Sequence, residues 1–404
     1  MTLREELEIL RGEPIKVFTG DPMDIPCIET SDAEKLCKHP VVSVHMITYN
    51  HEPYIRQAIE GVMMQNTDFE FELVIGEDCS QDKTREICFE YQKKYPDKIR
   101  VLWWHENVSK FGGNGRRVTA HCRGEFIAFC EGDDYWTDPL KLQKQVRVMR
   151  ANPQVALCFG KARVLDQGSE LIRDEPVVGF TNSVMSGEDF SKSRLFAIFQ
   201  GSIAPIPNSS TRTLTAIVRR TVISSILERF QDLLSCGLKV GDTSLWLGCA
   251  YWGDIYFMDD VFGVYRMHVG GITKSDAGGV LCDGTLIRIY YAMRMWGLSY
   301  RICLTIYKDM LFQGWILKAM RMGPDGQKSM MGRMQKFVEV AELDGIRYKS
   351  YIFCLKHGCL SRTAKIICDF IFYHFHARRL SFSQIAAIAN ESFGWKGQST
   401  LPCG

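Results

Sequence analysis

Glu131-Gly132-Asp133-Asp134-Tyr135-Trp136 sets three carboxylates within four residues, directly behind an apolar run from Glu125 to Cys130. That run reads as a buried strand, which puts the acids at its exit. Carboxylates so crowded repel one another and raise each other's pKa values unless something positive sits among them. A divalent cation meets that need, because Mg²⁺ and Mn²⁺ are held by one or two carboxylates together with substrate phosphates rather than by a full protein cage. A solvated acidic turn is the other reading of the same residues.

The elements that must position these acids follow from periodicity. Short apolar runs at Val41 to Ile47, Phe71 to Gly76, Ile99 to Trp104 and Glu125 to Cys130 alternate with helix-period segments, which is the βαβ rhythm of a parallel sheet. Between the first two runs, Ile55, Ala58, Ile59, Val62 and Met63 make one apolar helix face. Ile87, Cys88, Tyr91 and Tyr95 do so between the next two. Asp138 suits an N-cap, with Pro139 at the first helical position and Leu142, Val146 and Met149 on one face behind it. Open parallel sheets bind ligands beyond the carboxyl ends of their strands. The polar residues gather there: Thr48, Tyr49 and Asn50 after the first run, Glu77 and Asp78 after the second, and the acid cluster after the fourth.

Past Cys158 the rhythm loosens. Leu171 to Asn208, with Pro176, Pro205 and Pro207, is expected to be irregular, a loop over the site. Thr213 to Arg219 reads as a strand, and Val222 to Leu234 as a helix. Gly112 to Arg117 is glycine-rich and basic, which suits a backbone approaching a diphosphate with Arg116 as the contact. It lacks the lysine and spacing of a Walker loop. No GxGxxG follows the first run either, so a dehydrogenase loses its usual support.

Composition excludes other classes. Lys plus Arg number 49 against 47 Asp plus Glu, so no global positive field argues for nucleic acid. Fifteen cysteines are scattered without CxxC pairs, which favours free thiols in a reducing compartment over a disulfide framework. Met1 to Leu10 is charged and has no apolar signal core. No uncharged apolar stretch reaches the length of about 18 residues that a spanning helix needs. A cytoplasmic protein is the expectation.

In order along the chain, VVSVHMITYNHEPYIRQAIEGVMMQ, FELVIGEDCSQDKT, GEFIAFCEGDDYW, GDTSLWL and YRMHVGGITKS resemble the family 2 glycosyltransferases of GT-A fold, over roughly Pro40 to Ser275. The resemblance implies an α/β fold, Rossmann-like, with a mostly parallel central sheet flanked by helices and a C-terminal helical extension. It divides the chain into an N-terminal extension over 1–37, a catalytic domain over 38–275 and a helical region over 276–404. It also implies an inverting, metal-assisted transfer from a UDP-sugar to a hydroxyl of a glycan or lipid-linked acceptor. By the same resemblance Thr48, Asn50 and Glu52 border the base and ribose, and Asp78 accepts a hydrogen bond from the uracil ring. Asp82 is read as a turn and helix cap.

The family's metal motif is two acids one residue apart, here Glu131 and Asp133, and the ion expected is Mn²⁺ or Mg²⁺. Glu131 departs from the commoner Asp, which puts the weight on Asp133. Asp134 orients the loop or touches the donor sugar, and Tyr135 and Trp136 are either core anchors or substrate contacts. Asp242 stands where the family places its general base, with Gly241 where Glu is common; an N-capping Asp is the alternative. His268 matches a position where related enzymes place a phosphate or metal contact, against the ordinary reading of a lone structural histidine.

The tail carries Ile366, Ile367, Phe370, Ile371, Phe372, Tyr373 and Phe375, flanked by Arg362, Lys365, Arg378 and Arg379. Such a helix packs on the catalytic domain or lies peripherally at the inner face of an anionic membrane. A nucleotidyltransferase shares the acids, metal and nucleotide but leaves Asp242 idle. A catalytically silent sugar-nucleotide-binding scaffold is the remaining alternative.

Overall fold

The four apolar runs become the central parallel strands. The computed structural model describes residues 25–109, 113–174, 182–190, 212–229 and 241–268, all within one compact unit, Ile15–Arg288. The strands are β1 (Ile28–Thr30), β2 (Val42–Thr48), β3 (Phe71–Glu77), β4 (Ile99–Trp103), β5 (Phe126–Phe129), β6 (Tyr135–Trp136), β7 (Val155–Asp166), β8 (Leu171–Asp174), β9 (Ser183–Met185), β10 (Ile217–Arg219) and β11 (Asp254–Met267). The helices are α1 (Ile55–Met63), α2 (Thr84–Lys94), α3 (Gly113–His121), α4 (Lys141–Ala151), α5 (Arg220–Arg229) and α6 (Gly241–Trp252). Within Leu171 to Asn208 the described residues include β8 and β9, antiparallel partners of β7 and β11, while 175–181 and 191–208 lie outside the described residues. Within Thr213 to Arg219 only the last residues pair, behind a 3₁₀ turn at Thr213–Thr215.

The strand order is β1-β4-β3-β2-β5-β10-β7-β11-β6. β4, β3, β2 and β5 are mutually parallel, β10 runs antiparallel to β5 and β7, and β11 is parallel to β7. Chain order reverses between β2 and β5, which makes the gap beyond their carboxyl ends a topological switch point, the usual ligand crevice of such sheets. The apolar faces anticipated for α1, α2 and α4 are the buried ones: Ile55, Ala58, Ile59 and Val62; Ile87, Cys88 and Tyr91; Leu142, Val146 and Met149. Helix α4 starts two residues after Pro139. Asp138 accepts from the Leu140 amide (2.9 Å) and the Lys144 ammonium (2.7 Å) rather than capping the helix itself.

The opposite, amino-terminal edge of the parallel strands is held by charge. Glu72 is fully buried and accepts from Ser43 Oγ (2.6 Å), Arg123 (2.6 Å) and Arg100 (3.3 Å), while Arg100 also forks onto Glu29 of β1 with two bonds of 2.8 Å. Breaking a buried pair by removing one partner leaves an uncompensated charge and costs roughly 3–5 kcal/mol. Glu72→Ala should therefore lower the unfolding free energy by about 3 kcal/mol in urea titrations. Nucleotide affinity should be unchanged, since Glu72 lies about 16 Å along the strand from Glu77 at about 3.3 Å per residue.

Lys141 is a second unusual core residue. Its ammonium is fully buried, donates to Gln145 Oε1 (2.7 Å) and sits 4.1 Å over the Trp136 ring. Burial pushes its pKa down from 10.5 to about 7. Between those two values the unfolded chain binds the proton and the folded one does not, so stability rises with pH across that window. Lys141→Met should stabilise the protein most at and below about pH 7, by an amount on the order of 4 kcal/mol. Its advantage should vanish toward pH 10.5, measured by urea unfolding at stepped pH.

Candidate active site

The loops leaving β2 and β3 are stitched to each other. Asn50, at φ 53°, donates its amide to Ser80 Oγ (3.0 Å) and accepts from the Gln81 amide at Oδ1 (2.8 Å). Glu52 donates its amide to Asp82 Oδ2 (3.0 Å), and its carboxylate accepts from the Lys83 amide (3.1 Å) at the start of α2. Asp82 also accepts from the Thr84 amide (3.0 Å), the capping role expected of it. The His51 amide donates to Thr84 Oγ1 (2.8 Å). Asn50 and Glu52 thus fix the loops that frame the crevice.

Asp78 is fully buried, and its oxygens accept from the amides of Val108 (2.7 Å) and Ser109 (3.0 Å). Burial raises its pKa despite those bonds. The carboxylate therefore anchors the loop after β4 to the exit of β3. Its neighbour Glu77 pairs with Arg85 and accepts from the Ser80 amide (2.7 Å).

The acid loop crosses directly over the exit of β2. The Gly132 amide donates to the Ile47 carbonyl (2.9 Å). A Cβ on Gly132 would lie 2.6 Å from Thr48 Oγ1 and 3.0 Å from His51 Nδ1. Only glycine lets the two backbones approach so closely. Thr48 Oγ1, His51 Nδ1 and Glu131 Oε2 are buried and have no hydrogen-bond partner among the described residues. A buried polar atom left so costs roughly 1–3 kcal/mol, a cost characteristically borne where a ligand is bound.

Asp133 faces two imidazoles. His268 Nε2 lies 3.0 Å from Asp133 Oδ2, and His51 Nε2 lies 3.7 Å from the same oxygen. These three residues offer donor atoms all within 4.8 Å of one another. Donors held about 2.0–2.1 Å from a common divalent ion lie some 3–4 Å apart, so the set fits such an ion with small side-chain adjustment. Glu131 is not part of this group.

Environment sorts the acids. Burial would raise Asp133, but the hydrogen bond from His268 and the fields of His51 and His268 outweigh it and hold the carboxylate below its usual range. Burial, then the charge of Asp133, pushes Glu131 up to about 8. The same causes push Asp134 well above its usual range. Asp134 points inward, accepting from the Arg266 amide (2.8 Å), and the Arg266 guanidinium donates to the Asp133 carbonyl (2.6 Å) and packs over Tyr135. Trp136 is a core anchor, 2% exposed, with its indole N–H on the Leu214 carbonyl (2.7 Å).

Asp242 sits in the first turn of α6, and its charge is among those that raise the pKa of Glu131. The glycine-rich stretch is different from what its composition implies. Gly113–His121 is helix rather than an extended loop, and the Gly113 amide at its start donates to the Val108 carbonyl (3.0 Å). Its glycine serves packing: Gly115 gives its carbonyl to His45 Nε2 (3.0 Å). Arg116 lies half-buried on α3, while Arg117 is buried against Trp104. His51 is the functional candidate that motif reading passed over. Its signal, a histidine between Asn50 and Glu52 in a strand-exit loop, gains meaning only once β2 and β5 are neighbours.

Residues 43–210 match Glycosyl transferase family 2. The chain carries a family 2 glycosyltransferase domain. An uncharacterised protein of Mycobacterium tuberculosis is 32% identical over 234 residues, covering 58% of this chain and 61% of that protein. The chain thus spans about three-fifths of that relative's length. A dTDP-rhamnosyl transferase, RfbG of Shigella flexneri, is 33% identical over 97 residues, 22% of this chain and 32% of that one. Among solved structures, a crystal structure of S. aureus TarS, 17% identical, covers 82% of this chain and 91% of its own at a TM-score of 0.50. The family 2 domain shares that GT-A fold, with its mostly parallel sheet and flanking helices.

Gly132→Ala should move the acid loop off Thr48 and His51. Mn²⁺ affinity by calorimetry should fall on the order of tenfold, since ligand geometry tolerates only fractions of an ångström, with the melting temperature falling by a few degrees.

Proposed function

We propose that this protein is an inverting glycosyltransferase that moves a sugar from a UDP-sugar to a hydroxyl of a glycan or lipid-linked acceptor, assisted by a divalent metal ion. The observation that carries the reading is the convergence, beyond the carboxyl ends of β2 and β5, of Asp133 with the imidazoles of His51 and His268, their donor atoms all within 4.8 Å of one another. The family 2 domain supports the reaction class. The pyrimidine nucleotide sugar in the name of the Shigella relative supports a pyrimidine donor.

His51, Asp133 and His268 would hold the ion, whose positive charge would stabilise a departing diphosphate. Thr48 and the stitched loop of Asn50 and Glu52 floor the nucleoside end, with Asp78 fixing the loop beside it. Arg116 reaches the diphosphate. Asp242 takes the acceptor hydroxyl's proton as that oxygen bonds to the anomeric carbon, while the bond to the diphosphate breaks and its electron pair leaves with the diphosphate oxygen. One displacement inverts the configuration. A nucleotidyltransferase gives Asp242 no such task.

The catalytic domain spans 38–275 in this reading; residues 276–404, expected from the sequence to be helical, lie outside the described residues. The apolar tail stretch at Ile366 to Phe375 lies outside the described residues. Among the described residues no helix is long and apolar enough to cross a membrane.

The test incubates the protein with radiolabelled UDP-sugars and dTDP-sugars and Mn²⁺. Asp242→Asn should cut turnover by roughly 10²–10⁴-fold, the span of general-base contributions, and leave UDP affinity within about twofold. Absence of turnover by wild type with every donor overturns the reading.

A further inference from the structure

We propose that His51 takes the place of Glu131 among the metal donors, so that the ion is held by two imidazoles and one carboxylate and the site discriminates against Mg²⁺. The inference rests on the reading above only for the ion's purpose, because its geometry is independent of any donor or acceptor.

Three observations carry it. First, His51 Nε2 stands 3.7 Å from Asp133 Oδ2. That is too long for a hydrogen bond, yet it suits two ligands around one ion, since donors about 2.1 Å from a metal sit roughly 3–4 Å apart. Second, His51 Nε2 is not spent on a hydrogen bond among the described residues, with Asp133 Oδ2 3.7 Å away, while Nδ1 is buried on the Gly132 side without a partner among them. A structural histidine normally spends a ring nitrogen on a backbone or side-chain partner, as His45 does on the Gly115 carbonyl at 3.0 Å. The His51 ring is steered by shape instead, edge-on to Tyr54 (6.2 Å between centroids) and to His268 (6.2 Å, 88°), while Tyr54 also packs on His268 at 5.0 Å. Third, Glu131, the first acid of the two-acid motif, is outside the donor group. It is engaged by the Thr213 hydroxyl and lies in the field of Asp242.

Two imidazoles change which ion the site prefers. Imidazole donors suit first-row transition ions such as Zn²⁺, Fe²⁺ and Ni²⁺, with Mn²⁺ the weakest-bound of that series, whereas Mg²⁺ prefers oxygen donors alone, near-ideal octahedral geometry and retained waters. His51 thereby sets metal choice from the loop that also carries Asn50 and Glu52.

The test uses the metal alone. Mn²⁺ is added to the full chain, and the ¹⁴N couplings are read by electron spin-echo envelope modulation in frozen solution, with affinities from Mn²⁺ titration by room-temperature spin resonance. Wild type should show two coupled imidazole nitrogens. His51→Asn and His268→Asn should each show one and bind Mn²⁺ tenfold or more weakly. Glu131→Gln should keep both couplings and stay within about threefold of wild type. Mg²⁺ should displace Mn²⁺ only at a hundredfold or greater excess. If His51→Asn melts early, His51→Gln serves in its place. A single coupling in wild type that His51 variants leave unchanged overturns the proposal. So does loss of Mn²⁺ binding in Glu131→Gln with His51→Asn unaffected, or displacement by equimolar Mg²⁺. Each of these leaves sugar transfer itself to be judged by the radiolabel assay.

Discussion

Everything at the candidate site depends on β2 and β5 leaving the sheet side by side in the same direction. Their register pairs Val42 with Phe126 through His45 with Phe129, so β2 runs on past the end of β5. The chain leaving β5 must cross the last turns of β2, and Gly132 is where it does so, bonded to the Ile47 carbonyl and pressed against Thr48. No side chain fits in that crossing. The absence of one brings Asp133 to the His51 ring, which sits 82 positions earlier in the chain.

The crossing also answers the electrostatic problem of the acid run. Three adjacent carboxylates cannot all ionise in a partly buried loop, and the fold resolves this by giving each a different environment. Asp134 is turned inward onto the Arg266 amide, Glu131 is buried beside Thr213, and Asp133 alone meets cation-capable rings. One formal cluster of negative charge becomes one carboxylate whose pKa is held low by its histidines beside two whose pKa values are pushed up by burial and by its charge. The acids are therefore less a chelating trio than one donor and two fixtures.

Much of this was legible in the sequence wherever the information is local. The two-residue and 3.6-residue periods mark β2 to β5 and the buried faces of α1, α2 and α4, because burial is the force that selects those residues. The acid loop at a strand exit is legible for the same reason. Composition misled where packing overrides it. Gly112 to Arg117 looks like a phosphate loop, but Gly76 of β3 admits Asn114 and Val118 so closely that a Cβ would meet them at 2.2 and 2.4 Å, and the segment docks there as helix α3. His51 stayed hidden because its partner is set by strand adjacency, which no spacing along the chain encodes. β8 and β9 escaped because exposed edge additions such as Leu171 and Ile172 carry no burial pattern to read.

The short strand β6 explains how the last donor arrives. Tyr135 and Trp136 pair with Val264 and Gly263, so the acid loop is tethered at both ends, by β5 on one side and by β11 on the other. Arg266 reinforces the second tether through the Asp134 carboxylate and the Asp133 carbonyl. Two residues later the chain reaches His268, and with its predecessor pinned to the acid loop it has little freedom except to face Asp133. The late histidine is thus positioned by the acid loop itself: the residues that follow the carboxylates recruit the strand that delivers their partner. A loop that builds its own second half in this way ties the geometry of Asp133 and His268 to the integrity of β11, so changes at β6 or Arg266 act on the site without altering any donor side chain.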